Sequence, residues 1–203
     1  ISTSTLFALC AMVIATVLGL MVALGVAYGS PRFAWLERIS VLPLTVSAVT
    51  IGLGILITYD TAPYDFRSAW MVTPLAHSLI ALPLVVRIVL PVVRQIPRGL
   101  QSVASTLGAT PLQTWLTVDR PLMSRAVGAS AAIAFAISIG EFGATSFLTR
   151  RSNETLPVTI SRLLSRPGDA LRTQAYALCV IIVVISMIAI FLIDMLRPSR
   201  KAK

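Results

Sequence analysis

"STLGATPLQTWLTVDRP", Ser105 to Pro121, packs a glycine, two prolines and an Asp-Arg pair between segments apolar enough to cross a membrane. Joining two spans requires nothing so structured. Gly108 can take the left-handed backbone that ends a helix, which predicts one helix over Arg98–Leu107. Thr110 can cap a second, Pro111–Val118, with Pro111 at its first position and Gln113 three residues after the cap in a capping-box arrangement. Leu112, Trp115 and Leu116 share a face of the second helix, and Val103 and Leu107 a face of the first, because residues three and four apart are neighbours. The residues alone leave two uses open. The faces can rest on the protein's own spans or the lipid surface, or they can present an exposed tryptophan to another protein's groove.

The flanking sequence is built for lipid. Of 203 residues, 56% are hydrophobic and 12% charged, and the mean hydropathy is +0.86, whereas a soluble domain carries about 25% charged residues. A spanning helix needs about 20 mostly apolar residues. Five stretches qualify, roughly Thr5–Tyr28, Ile39–Thr58, Ala69–Val93, Arg125–Leu148 and Thr173–Leu196. The expected fold is an all-α membrane protein of about five transmembrane helices. Pro74, Pro83 and Pro91 interrupt the third stretch. Such prolines are tolerated where neighbouring helices re-satisfy the freed carbonyls, so a kinked helix buried among others is expected there. The chain opens on Ile1, and its first apolar run is too long for a signal-peptide core and lacks a basic leader. It reads as the later part of a longer polypeptide.

The net charge of +9 falls between the apolar runs and makes no basic face with interleaved aromatics, so it reports topology and not nucleic-acid binding. With the opening stretch inside, the cytoplasm receives ten cations: Arg32, Arg38, Arg94, Arg98, Arg120, Arg125, Arg197, Arg200, Lys201 and Lys203. The outside receives six: Arg67, Arg150, Arg151, Arg162, Arg166 and Arg172. The bias favours that orientation. The outer connection Thr149–Arg172 contains Val158, Ile160, Leu163 and Leu164, which can form a short apolar face lying on or dipping into the bilayer surface and ended by Pro167-Gly168, or belong to a solvated loop.

Glu141 lies in the fourth apolar stretch, in "ISIGEFGATS". A charged group at the bilayer centre costs about 2.5 to more than 10 kcal/mol depending on the scale, so this carboxylate should face other helices or water. It is the leading candidate for a pathway or gating role, with Ser138, Phe142 and Thr145 beside it. The alternative is a carboxylate held structurally by serine hydroxyls or by Arg87, its natural partner by charge. Gly140 and Gly143 flank it and allow a close helix approach. Asp194, with Arg197 behind it, reads as interfacial.

Little here supports bond-making chemistry. His77, the one histidine, lies in a span and reads as structural or pore-lining. Cys10 and Cys179 sit apart in apolar runs, with no metal-ligand spacing. A phosphate-binding loop requires a glycine-rich turn followed by Lys and Ser or Thr, and the only lysines are Lys201 and Lys203. No cofactor is expected on this chain, and any ATP and Mg would belong to a separate ATPase.

"SVASTLGATPLQTWLTVDRP" resembles the cytoplasmic loop of the inner-membrane permeases of binding-protein-dependent, type I ABC importers, which runs Glu-Ala-Ala, three residues, Gly, then a hydrophobic helix ending near Pro. Ser102 stands in place of the glutamate, Val103 and Ala104 in place of the alanines, and Gly108 and Pro121 match the glycine and proline. Arg120 replaces the usual apolar residue before the proline. "STLFALCAMVIATVLGLMVALGVAYG" is similar to the span opening the family's domain, and "SIGEFGATSFL" to a segment found in ferric iron, thiamine, sulfate and molybdate permeases.

The resemblance implies a permease domain over residues 1–203 with a coupling loop over 94–124, in a multi-pass protein of the bacterial inner membrane. It implies ABC ATPase subunits, a second permease half and an extracytoplasmic solute-binding protein as partners. Ser102, Ala104, Leu107, Gly108, Thr110, Pro111, Leu112, Trp115 and Pro121 become the contact to the ATPase. Ferric iron or thiamine is the expected solute, with a sulfate- or molybdate-type oxyanion as the alternative. A proton-coupled secondary transporter using Glu141 would leave the loop unexplained, and a membrane anchor or assembly protein would need neither Glu141 nor the kinked third span.

Overall fold

The computed structural model describes residues 1–59, 70–149 and 153–195. Ala69 and the cations Arg67, Arg150, Arg151, Arg197, Arg200, Lys201 and Lys203 lie outside the described residues, as does the side chain of Asp194. Among the described residues every regular element is a helix. Four helices are long and apolar enough to cross a membrane, or up to five if one bent pair counts as a span.

The first, α1 (Ser2–Tyr28), is apolar all round, and its buried stripe is small: Ala8, Ala11, Ala15, Gly19 and Ala23. Small residues let helix backbones approach in a membrane, where packing and not water exclusion holds spans together. At Gly19 an added Cβ would come 2.5 Å from a Val85 methyl. The partner helix, α4 (Val72–Gln95), is the most enclosed span, with 56% of its apolar window buried against 33% for α1. It runs as one helix through Pro83 and Pro91.

The expected second span, Ile39–Thr58, is not one straight helix. A short 3-10 turn (Pro31–Phe33) leads to α2 (Ala34–Val41), a second 3-10 turn (Leu42–Thr45), and then α3 (Ala48–Tyr59), with a 95° bend between the halves. Pro43 lacks the N–H a continuing helix needs, and the Thr45 hydroxyl donates to the Leu42 carbonyl at 2.7 Å, closing the turn locally. Arg94 donates to both carboxylate oxygens of Glu37, at 3.1 and 2.6 Å, and so ties α2 to the end of α4.

After α4 come α5 (Arg98–Thr106), α6 (Pro111–Thr114) and a wide turn over Trp115–Asp119 that leads directly into α7 (Arg120–Gly140). The expected span Arg125–Leu148 therefore starts earlier and stops sooner. It joins α6 as one 30-residue helix, Pro111–Gly140, and breaks at Glu141. A single turn, α8 (Thr145–Leu148), follows the break and packs on α3. At Gly52 an added Cβ would lie 2.5 Å from Ala144 Cα, so that contact is backbone against backbone.

The connection after residue 149 contains a helix, α9 (Leu156–Leu164), which packs on α7 and α10 (Asp169–Met195). Val158, Ile160 and Leu163 are partly buried and Leu164 is exposed, so these residues lie on a helix and not in an irregular loop. The Leu156 N–H donates to Ser4 Oγ at 2.7 Å, fastening α9 to the start of α1.

Candidate functional site

The turn of the helix pair is closed by local bonds. Gly108 has φ +83°, the Gly108 N–H reaches the Ser105 carbonyl and the Ala109 N–H the Ala104 carbonyl, each at 3.0 Å. These are the two bonds of a Schellman ending, which satisfies carbonyls that a helix terminus leaves unpaired. Two residues later the Thr110 N–H donates to Gln113 Oε1 at 2.8 Å, and the Gln113 N–H to Thr110 Oγ1 at 3.3 Å, completing the expected capping box.

The second helix departs from expectation. It does not end near Val118 but passes through the wide turn, where the Arg120 N–H bonds to the Trp115 carbonyl five residues back. Pro121 explains the widening: it has no N–H for the carbonyl four residues before it, and its ring would clash there. Trp115 is half-buried against the core formed by α1, α4 and α7, so it is not an exposed knob. Leu107 and Leu112 are the exposed apolar residues instead, at 82% and 67% exposure, with Val103 and Leu116 beside them. Ser102, Thr110 and Pro111 are also exposed and Ala104 is partly buried.

Asp119, in the wide turn, is 6% exposed. Its Oδ1 accepts from Gln101 Nε2 at 3.0 Å and from the Tyr28 hydroxyl at 3.4 Å. This three-way contact was not legible in the sequence, because Tyr28 is 91 residues away.

The second candidate group surrounds the break in α7. Glu141 caps α7 in an extended conformation (ψ 122°), and its carboxylate accepts from the Ala144 N–H at 3.1 Å, the Thr145 N–H at 3.2 Å and Thr145 Oγ1 at 2.9 Å. His77 lies across from it on α4, with Nδ1 2.7 Å from Ser138 Oγ and Nε2 2.6 Å from Thr145 Oγ1. His77 Nε2 is 3.5 Å from Glu141 Oε2. The Arg87 partnership offered as an alternative does not form; Arg87 is exposed, while His77 Nε2 is the ring atom near Glu141. Sequence reasoning missed the His77 pairing. The available signal was that the one histidine and this lone carboxylate both sit in otherwise apolar stretches.

Ser138, His77 and Thr145 are buried with Glu141, whereas Phe142 is exposed. The structure thus brings three of the four expected pathway residues together. The carboxylate occupies the amides that the helix break frees, so the group can hold the break in one shape. It lies about 8 Å along α4 from Val72 and about 27 Å from Gln95, at 1.5 Å rise per residue. That is the end of the bundle opposite the helix pair.

The sequence profile of the binding-protein-dependent transport system inner membrane component family matches residues 15–202. The chain belongs to that family. It is the permease component of an ABC importer and a protein of the inner membrane. Among known permeases it is 30% identical over 195 residues to the protein named "Putative 2-aminoethylphosphonate transport system permease protein PhnV" of Salmonella typhimurium, covering 96% of this chain and 71% of that protein. It is 30% identical over 186 residues to the molybdenum transport system permease protein ModB of Escherichia coli K12, covering 84% of this chain and 80% of ModB. The sulfate transport system permease protein CysT of Salmonella typhimurium is 28% identical over 180 residues, 84% of this chain and 65% of CysT.

Proposed function

We propose that this permease carries a small oxyanion or phosphonate inward, delivered by an external binding protein and driven by a separate ATPase. The observation that carries the reading is that permeases alike over most of this chain are named for 2-aminoethylphosphonate, molybdenum and sulfate transport. Sulfate, molybdate and a phosphonate head share a compact, negatively charged tetrahedral centre bearing three or four oxygens. This favours the oxyanion alternative over ferric iron or thiamine, for which none of these relatives is named. The site around Glu141 is compatible with an anionic cargo, because its carboxylate is covered by two backbone N–H groups and a hydroxyl and presents no bare negative charge.

In this reading the ATPase grips α5 and α6. Leu107 and Leu112 enter its groove, Gly108 and the capping box of Thr110 and Pro111 hold their angle, and Ser102 and Ala104 line the first helix. Trp115 and Pro121 join the pair to the core and to α7. When ATP closes two ATPase subunits, the push enters a helix about 45 Å long, Pro111–Gly140, whose far end is the Glu141 break. One permease half cannot enclose a pathway, so a second half completes it.

The test is purification of the assembled complex in mild detergent, identification of its chains, and uptake into proteoliposomes of molybdate, sulfate, 2-aminoethylphosphonate, ferric iron and thiamine in parallel. ATP-dependent uptake of one or more of the three anions, with none of iron or thiamine, is expected. Uptake of iron or thiamine alone would overturn the reading.

A further inference from the structure

Asp119 joins three pieces of chain through polar bonds. It stands in the wide turn between α6 and α7, it accepts from Gln101 on α5, and it accepts from Tyr28 at the last residue of α1. A carboxylate removed from water is costly unless it is hydrogen-bonded, so its burial commits it to these donors. Beside it lies an open cleft of about 820 Å³ lined by Tyr28, Pro31, Gln101, Pro111, Trp115 and Asp119. Around the cleft the end of α1 and the helix pair are not packed solidly together. Polar bonds cross that gap beside the packing of Trp115 on the core.

We propose that Asp119 is a positioning residue for energy coupling: through Gln101 and Tyr28 it fastens the helix pair to the end of α1, so a push on the pair moves α1 and α7 as one body. This rests on the importer reading above. Without Asp119, α7 would still be pushed, since α6 continues into it. The end of α1 would lag, and ATP would be spent on a movement that only part of the bundle follows. Wide helical turns often mark functional positions, and here the turn brings the carboxylate inside.

The experiment uses the assembled complex in proteoliposomes and compares wild type with Asp119→Ala, Asp119→Asn and Tyr28→Phe. The readout is anion transported per ATP hydrolysed, using whichever of molybdate, sulfate or 2-aminoethylphosphonate the wild type takes up. Asp119→Ala is expected to lower that ratio by roughly two- to thirty-fold, the span of measured coupling effects, with ATPase activity retained. Asp119→Asn should fall between, because its amide oxygen still accepts. Tyr28→Phe should shift the ratio the same way by a smaller factor, since its bond is the longer one.

A wild-type ratio in both Asp119→Ala and Tyr28→Phe, or parallel loss of hydrolysis and transport, would overturn the proposal. Should Asp119→Ala fail to assemble, Tyr28→Phe decides by the same ratio. A second readout needs no transported solute. With Cys10 and Cys179 replaced by serine, spin labels at the exposed positions Met21 and Leu122 should keep their separation on ATP addition in wild type and lose it in Asp119→Ala. Equal behaviour of the two would also overturn it. Failure of all anion uptake by wild type, with the label result intact, would count against the substrate reading alone.

Discussion

His77 and Glu141 face each other across α4 and the break in α7, 3.5 Å apart, with Thr145 Oγ1 within 2.9 Å of both. Every member of this group is buried. Removing the imidazole takes a ring-nitrogen partner from Ser138 Oγ and Thr145 Oγ1, and a buried unsatisfied group costs about 1–3 kcal/mol. His77→Leu should therefore lower the thermal midpoint of the detergent-solubilised complex by several degrees. Glu141→Gln should also destabilise it, because its NH2 can oppose the Ala144 or Thr145 N–H where an acceptor stood. Unchanged melting in both variants would remove the group's structural role.

The contact between α3 and the break supplies a matched pair. Gly52→Ala would drive a methyl to 2.6 Å from the Ala144 carbonyl oxygen, while the Cβ position of Gly54 has nothing within 4 Å. Gly52→Ala should impair transport and lower stability, with strain of about 1–3 kcal/mol. Gly54→Ala should match wild type in both. Equal effects of the two would show that α3 is free to move off α8.

Gly108 tests the angle of the helix pair. An added Cβ there meets no atom within 4 Å, so any penalty of Gly108→Val comes from φ +83° alone. That penalty is about 1–2 kcal/mol, enough to open the Schellman ending without touching the spans. Membrane insertion should be normal while ATPase-driven transport falls; normal transport would mean the angle is not used. Gly108→Asn should do better than Gly108→Val, since Asn tolerates the left-handed region.

Leu112 and Trp115 should separate two effects that the helix pattern alone merges. Leu112→Ser, at a position 67% exposed, should weaken recovery of the ATPase in pulldowns and leave the permease's own melting temperature unchanged. Trp115→Ala should lower that melting temperature by removing packing from the core, at about 3–5 kcal/mol for a full aromatic deletion and less at a half-buried site. The reverse pattern would restore the exposed-tryptophan reading.

Local chemistry was legible in advance. The turn at Gly108, the capping box of Thr110 and Gln113, and the apolar stretches were read from residues within a few positions of one another, and the bonds that realise the turn and cap span three to five residues. The loop's spacing from Ala104 through Gly108 to Pro121 carried the family for the same reason. Where a proline stood at a join, the sequence marked the irregularity but not its outcome: Pro43 accompanies a 95° bend, whereas Pro121 is absorbed by one wide turn in a continuous helix.

The sequence by itself determined a membrane-spanning helical protein with a capped, sharply turned helix pair, because hydropathy and capping act within one segment. Tertiary structure alone decided what the polar groups inside it do. His77 meets Ser138 and Thr145 across 61 and 68 residues, and Asp119 meets Tyr28 across 91. A buried polar group must find whichever donor or acceptor the packing of spans brings within about 3 Å. Charge type had pointed Glu141 to Arg87. Small residues on α1 and the backbone contact at Gly52 set the helix positions that gave it His77 instead.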